Sequence, residues 1–187
     1  MLNHLSTFGI LTDSEVNQVK QYLTSRTIQK GEYLITEGKV CQEIAYVENG
    51  TLRSFYTKDN GEEVTYCITF AGNFTTAYSS YITGEKTPES IQALSHAELL
   101  ILKKRDIETM AANSTNWVKL LKFLAEQQYV EMEKRIFSYQ KESANERYLE
   151  LVKNHPDYIQ NIPLQYLASY LGITPRHLSR IRKELSL

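Results

Sequence analysis

Pro163-Leu-Gln-Tyr-Leu-Ala-Ser-Tyr-Leu-Gly-Ile-Thr-Pro-Arg-His-Leu-Ser-Arg-Ile-Arg-Lys-Glu-Leu185 is the stretch that decides the reading of this chain. Leu164, Leu167, Ala168 and Leu171 form the apolar stripe of a first short helix, and Pro163 stands near its start, where no backbone N–H is missed. Gly172 supplies the permissive backbone of a sharp turn. Thr174 is placed to cap a second helix whose first position is Pro175. Along that helix Leu178, Ile181 and Leu185 recur at helical spacing and face inward. Arg176, Arg180 and Lys183 recur at the same spacing on another face, flanked by His177, Ser179 and Arg182. A small residue where two helices cross, a turn glycine and a cationic outer face together match what a DNA-binding helix-turn-helix requires. A merely solvated helical hairpin accounts for single charges but not for the joint placement of Ala168, Gly172, Ile173, Leu178 and Ile181.

Outward from this segment, the 187 residues suit one large domain or two small ones, and 42% hydrophobic with 23% charged residues is ordinary for a globular protein. No run approaches the roughly 20 apolar residues of a membrane helix. The start, Met-Leu-Asn-His-Leu-Ser-Thr, lacks the basic and apolar regions of a signal peptide, so a cytoplasmic protein without membrane contact is expected. Cys41 and Cys67 are too few for a disulfide framework and read as free, buried or half-buried thiols. With a net charge of −1, any nucleic-acid contact must come from a local patch, and residues 172–187 hold Arg176, Arg180, Arg182 and Lys183 against only Glu184.

Three zones differ in period. From Thr12 to Leu23 the pattern is helical, with Asp13 or Ser14 as cap and Val16, Val19, Tyr22 and Leu23 inward. From Ser25 to Lys103 it is strand-like: Thr27-Ile28, Tyr33–Ile35, Ile44–Val47, Leu52–Tyr56, Val64–Phe70 and Leu99–Leu102 alternate with turn signals, including Glu48-Asn49-Gly50 and Asp59-Asn60-Gly61, which favour tight hairpins. From Lys104 helices return. Trp117, Leu120, Leu121 and Leu124, continued by Gln128, Met132 and Ile136, mark a helix from Thr115 to Tyr139, about 37 Å long at 1.5 Å per residue. Such a helix needs a partner surface, either its own β-domain or the same helix of a second chain, and a two-fold seam agrees with a helix-turn-helix dimer. A further helix over Ala144–Lys153, with Ser143 and Glu146 as a capping box, ends before His155-Pro156 and packs Tyr148, Leu149 and Val152 on the helical pair.

This order of parts, together with Glu146–Leu151, Ile162–Leu164 and Leu167–Pro175 running on to Leu178–Lys183, resembles the Crp/Fnr superfamily of bacterial transcription regulators over nearly the full length, especially its Bacteroidetes-type subgroup. Gly31, Gly38, Gly50 and Gly72 fall where that family's β-roll turns. The resemblance implies an α+β fold: an antiparallel, jelly-roll-like β-roll over residues 1–112, a dimerisation helix over 113–141 and a helix-turn-helix domain over 142–187. It implies a homodimer that places the helix 175–185 in the major groove of double-stranded DNA, a small-molecule effector of unknown identity, and RNA polymerase as a further candidate partner; no cofactor is expected. DNA would meet Thr174, Arg176, His177, Ser179, Arg180, Arg182 and Lys183. The dimer seam would hold Trp117, Leu120, Leu121, Leu124, Gln128, Met132 and Ile136.

Departures from the family pattern are informative. Members that bind cyclic AMP hold the ribose with a Gly-Glu pair and the cyclic phosphate with an Arg-Ser or Arg-Thr pair. Here Gly72-Asn73-Phe74 resembles the start of that stretch, but Thr76-Ala77 and Glu89-Ser90 stand at the two pairs. A carboxylate repels phosphate, so cyclic AMP is not the expected effector; Phe74, Ala77, Tyr78, Glu89 and Ser90 remain the candidate pocket. Tyr46, Tyr56, Tyr66, Phe70 and Tyr81 are either pocket walls or plain sheet packing. The sequence reaches only Leu187, so a helix-turn-helix lacking the family's β-hairpin wing is expected. An enzyme is not expected: His4, His96, His155 and His177 are not in metal spacing, and no nucleophile-elbow or phosphate-loop motif occurs. The alternative is a β-roll sensor or interaction protein that has lost DNA binding.

Overall fold

The computed structural model describes residues 1–185, leaving aside the side chains of Asp157 and Tyr158. The chain opens with α1 (Leu2–Thr7) and α2 (Asp13–Gln18), the latter continued by a 3-10 turn over Val19–Tyr22. The cap of α2 is Thr12 rather than Asp13 or Ser14. Its side chain accepts from Glu15 N while the Glu15 carboxylate accepts from Thr12 N at 2.8 Å, a reciprocal capping box. Glu15 also accepts from the Ser114 hydroxyl and from Asn116 Nδ2. These bonds, the Ser114 one foremost, hold its carboxyl down at about 2.

Eight strands follow among the described residues: β1 (Thr24–Ile28), β2 (Tyr33–Ile35), β3 (Glu43–Asn49), β4 (Thr51–Thr57), β5 (Glu63–Phe70), β6 (Phe74–Thr75), β7 (Ser90–Ala93) and β8 (Ala97–Lys103). They form two antiparallel four-stranded sheets, ordered β1-β8-β3-β6 and β2-β7-β4-β5. The six strands expected from alternation are present. β6 and β7 were not legible, being two and four residues long, and α3 (Tyr78–Thr83) interrupts the strand zone. Asp59-Asn60-Gly61 joins the paired strands β4 and β5 as expected. Asn49-Gly50 does not make a hairpin, because β3 and β4 lie in different sheets. Gly50 instead serves a close crossing: its φ is +95°, and a Cβ there would stand 2.4 Å from the His96 carbonyl oxygen.

The first core lies between the sheets and beneath the flanking helices, with Val19, Ala45, Val47, Leu52, Ile91, Leu99 and Ile101 nearly or wholly buried. α4 (Lys104–Asn113) and α5 (Thr115–Lys141) close it. A second core is built by α6 (Ala144–Asn154), α7 (Pro156–Asn161), α8 (Leu164–Tyr170) and α9 (Pro175–Glu184) around Tyr148, Leu151, Leu167, Ala168, Leu178 and Ile181. The Ser143–Glu146 capping box of α6 forms as expected, but Leu151 is the residue that packs inward and Leu149 stands exposed. Helix α7, after His155, was not anticipated.

The two cores meet on one strand. In an antiparallel sheet one face usually meets water, yet β4 is buried on both faces from Thr51 to Phe55. Leu52 points into the roll, while Arg53 and Phe55, two residues apart, share the opposite face. That face is covered by α8. The Arg53 guanidinium lies 4.0 Å from the Phe55 ring and 3.8 Å from the Tyr166 ring, and only 2% of the residue is exposed. It donates to Gln92 Oε1 from Nε at 3.1 Å and from Nη2 at 2.7 Å, and Nη2 also donates to Glu63 at 2.5 Å. Beside it Thr65 N donates to Ser169 Oγ at 2.9 Å, and Ile68 joins the second core. Two desolvated cation–π contacts and the lost hydrogen bonds set the cost of Arg53→Ala at about 2–4 kcal/mol. Denaturant unfolding should show that loss and hydrogen exchange should quicken in α8; a change within about 0.5 kcal/mol and unaltered α8 exchange would refute the clamp.

Candidate nucleic-acid interface

The second helix of the α8–α9 pair presents the cationic face. Gly172, with φ +71°, makes the turn, and a Cβ there would also stand 2.8 Å from Tyr139 Cε1, so the ring of α5 occupies the space a side chain would need. The last carbonyls of α8 are held from outside. Arg135 Nη2 and the Tyr139 hydroxyl donate to Tyr170 O, and Arg147 donates to Leu171 O from Nε at 3.3 Å and Nη2 at 3.1 Å. Thr174 caps α9, its Oγ1 accepting from His177 N at 3.2 Å.

With Leu178 and Ile181 fully buried, the orientation of α9 is set. Arg176, Ser179, Arg180 and Lys183 are exposed on the outer face, and His177 is half-buried at its edge. Arg180 Nε lies 3.6 Å from Glu184, one turn on; both side chains are mostly exposed, so the pair is weak. Arg182 departs from the expectation. At 100° per residue it stands roughly 200° round the helix from Arg180. It is half-buried, and its guanidinium faces the Tyr148 ring at 6.0 Å, so it is not part of the outer face.

The five candidate effector residues do not share one cavity. Phe74 packs edge-on against Tyr46 at 5.1 Å, and Tyr78 stacks on Tyr81. Ser90 Oγ accepts from Glu37 N at 3.0 Å. Glu89 is 8% exposed and accepts from the Tyr66 hydroxyl. Burial pushes its carboxyl above the ordinary range, against the lowering effect of that hydrogen bond, and burial raises Tyr66 as well. Of the five, Ala77 alone lines a cavity of about 370 Å³ in the roll, beside Thr76, Cys41 and Ile91. These residues do not fit a cyclic phosphate: the carboxylate at position 89 is buried and already engaged, and Ala77 offers no oxygen.

The long helix divides its apolar residues between two duties. Trp117 and Leu120 are 4% and 0% exposed inside the chain's own first core, and Leu121 and Leu124 lean on it. Trp117 and Leu120 are therefore withdrawn from the expected seam, because the β-roll has taken the surface they would offer. Gln128, Met132 and Ile136 are exposed, and the open apolar positions Val118, Tyr129, Met132 and Ile136 are 53%, 66%, 56% and 52% exposed. The series from Trp117 to Ile136 drifts round the helix: at 100° per residue Ile136 stands roughly 100° from Trp117 and roughly 160° from Leu120, so one end of the series meets the roll and the other faces away.

Over residues 25–114 the chain matches the family described as cyclic nucleotide-binding domain. Its antiparallel sheets and long helix are arranged as in solved structures that include a Crp/Fnr-family regulator. FixK2 from Bradyrhizobium japonicum superposes with a TM-score of 0.75 at 17% identity, over 88% of this chain and 84% of that one. A protein from Eubacterium rectale, assigned to the transcriptional regulators of the Crp/Fnr family, gives 0.75 at 16% identity, over 98% and 88%. CLP from Xanthomonas campestris, a c-di-GMP responsive global regulator, gives 0.73 at 12% identity, over 94% and 92%. No curated protein sequence matches the chain.

The raised Glu89 carboxyl has a signed consequence. Its protonated form is favoured in the fold, so its contribution is present below the ordinary carboxyl range and is lost as pH rises through the raised one. Glu89→Gln keeps a partner for Tyr66 without the charge. The variant should be more stable than the parent at pH 7 by on the order of 1 kcal/mol, and the two should converge near pH 4. Thermal melts at both pH values check this; an equal offset at the two would refute it.

Proposed function

We propose that the protein is a Crp/Fnr-type transcription regulator, of the Bacteroidetes-type subgroup that its α8–α9 wording resembles, acting as a homodimer on double-stranded DNA. The observation that carries this reading is the outer face of α9. Arg176, Ser179, Arg180 and Lys183 stand exposed on a helix whose other face is fixed by Leu178 and Ile181. Arg176 and Arg180, one turn apart, read base edges; Ser179, His177 and Lys183 meet bases or phosphates, and Thr174 sits at the helix start near the backbone. Residues 142–187 serve as the helix-turn-helix unit, 113–141 as the dimer helix and 1–112 as the effector roll. The effector is a molecule other than cyclic AMP, since Ala77 and Glu89 do not suit a ribose and a cyclic phosphate.

Selecting bound fragments from genomic DNA supplies the operator on which this is tested. Arg180→Ala should weaken that operator by about 1–3 kcal/mol more than a scrambled duplex, whereas Lys183→Ala should weaken both alike. Equal losses on both duplexes for Arg180→Ala would withdraw base reading. Absence of any salt-dependent DNA binding would favour a roll that serves only as a sensor.

The exposed stripe of α5 supports the dimer. Val118, Tyr129, Met132 and Ile136 follow one another at spacings of eleven, three and four residues, which at 100° per residue keeps them on one side of the helix, as a two-fold seam requires. Light scattering at micromolar concentration should give twice the chain mass, and Met132→Glu with Ile136→Glu should give the single mass. A monomeric parent would remove the proposal.

A further inference from the structure

A cavity of about 300 Å³ lies between α6, α7 and α9, lined by Tyr148, Val152, Pro156, Ile159, Gln160 and Arg182. Two of these residues carry polar groups that find nothing to bond among the described residues. Tyr148 is 0% exposed and its hydroxyl has no hydrogen-bond partner among them. Arg182 has Nε and Nη2 shielded from water, also without a partner among the described residues. The guanidinium carbon is 6.0 Å from the Tyr148 ring, so the donors belong to one locality. An unmet shielded donor is destabilising, and more so on a charged group. Val152 and Ile159 show that the surroundings are apolar, where a Leu or Met at 182 would pack without that cost.

We propose that this cavity is a binding site for a small organic carboxylate. Nε and Nη2 are neighbouring donors on one edge of the guanidinium plane, the geometry that receives both oxygens of a carboxylate. The Tyr148 hydroxyl donates a third hydrogen bond, which the remaining lone pairs can accept. Val152, Pro156 and Ile159 enclose the hydrocarbon body. At roughly 30 Å³ for each water-sized group, the space holds about ten heavy atoms. Gln160 is exposed at the rim and is the side chain that yields for entry. The site joins α6 to α9 from behind the cationic face, and it does not depend on that face contacting DNA.

The test is calorimetry on the full chain at constant ionic strength, with sodium benzoate, sodium butyrate and inorganic phosphate as probes and no DNA present. At least one carboxylate should bind saturably at one per chain with Kd at or below about 1 mM. Arg182→Met should weaken it by about ten- to a hundredfold and Tyr148→Phe by a smaller factor, while Arg176→Ala leaves it unchanged. Without any probe, Arg182→Met should melt at or above the parent temperature, because it removes two shielded donors that have no partner among the described residues. The proposal is overturned by no saturable heat from either carboxylate up to about 10 mM, by binding of phosphate alone, or by equal binding to Arg182→Met. It is also overturned if Arg182→Met lowers the melting temperature in the absence of any probe.

Discussion

A single buried cation, Arg53, holds the molecule's two cores together. A guanidinium at 2% exposure between two aromatic rings is tolerable because its planar faces meet π density while Nε and Nη2 donate to Gln92 and Glu63, with Nη1 left without a partner among the described residues. The same residue is part of β4, so its placement follows from the sheet register, and Gln92 is its cross-strand partner on β7. Without α8 above it, that face of the sheet would meet water and Arg53 would be an ordinary surface residue. The roll and the helical pair thus share one desolvated contact, and each defines the other's surface.

The carbonyl end of α8 is the second point of attachment. Arg135, Tyr139 and Arg147 reach it from α5 and α6, satisfying oxygens that the short helix leaves free. Gly172 allows this approach because its missing side chain leaves room for the Tyr139 ring. The orientation of α9 therefore depends on contacts with the sheet, the long helix and α6 together. Tyr166 meets Arg53 of the sheet and Tyr170 meets Arg135 of the long helix, so α8 is held on both sides.

The interior of the roll is built differently from a phosphate-binding site. The buried carboxyl of Glu89 is satisfied by Tyr66, and a cavity opens beside Ala77, Thr76 and Cys41. Position 89 thus offers a buried, already engaged carboxyl where a phosphate would need a cation. A match to a cyclic nucleotide-binding domain over residues 25–114 therefore describes the shape of the roll, whereas its ligand chemistry depends on these substituted positions.

Local patterns in the sequence were enough to reveal the α8–α9 pair, the Ser143–Glu146 cap, six of the eight described strands and the long helix, because each rests on contacts within a few residues. They were not enough where distant segments compete. Asn49-Gly50 resembles a hairpin but turns the chain between sheets, since Gly50 must pass the backbone of residue 96. Trp117 and Leu120 open the apolar series that runs on to Ile136 yet are claimed by the roll, and Arg182 shares the charge of its neighbours yet turns toward Tyr148. Period and charge specify that a helix has an apolar side and a cationic side. Which partner covers each side is decided by tertiary packing, because burial depends on what the rest of the chain brings alongside.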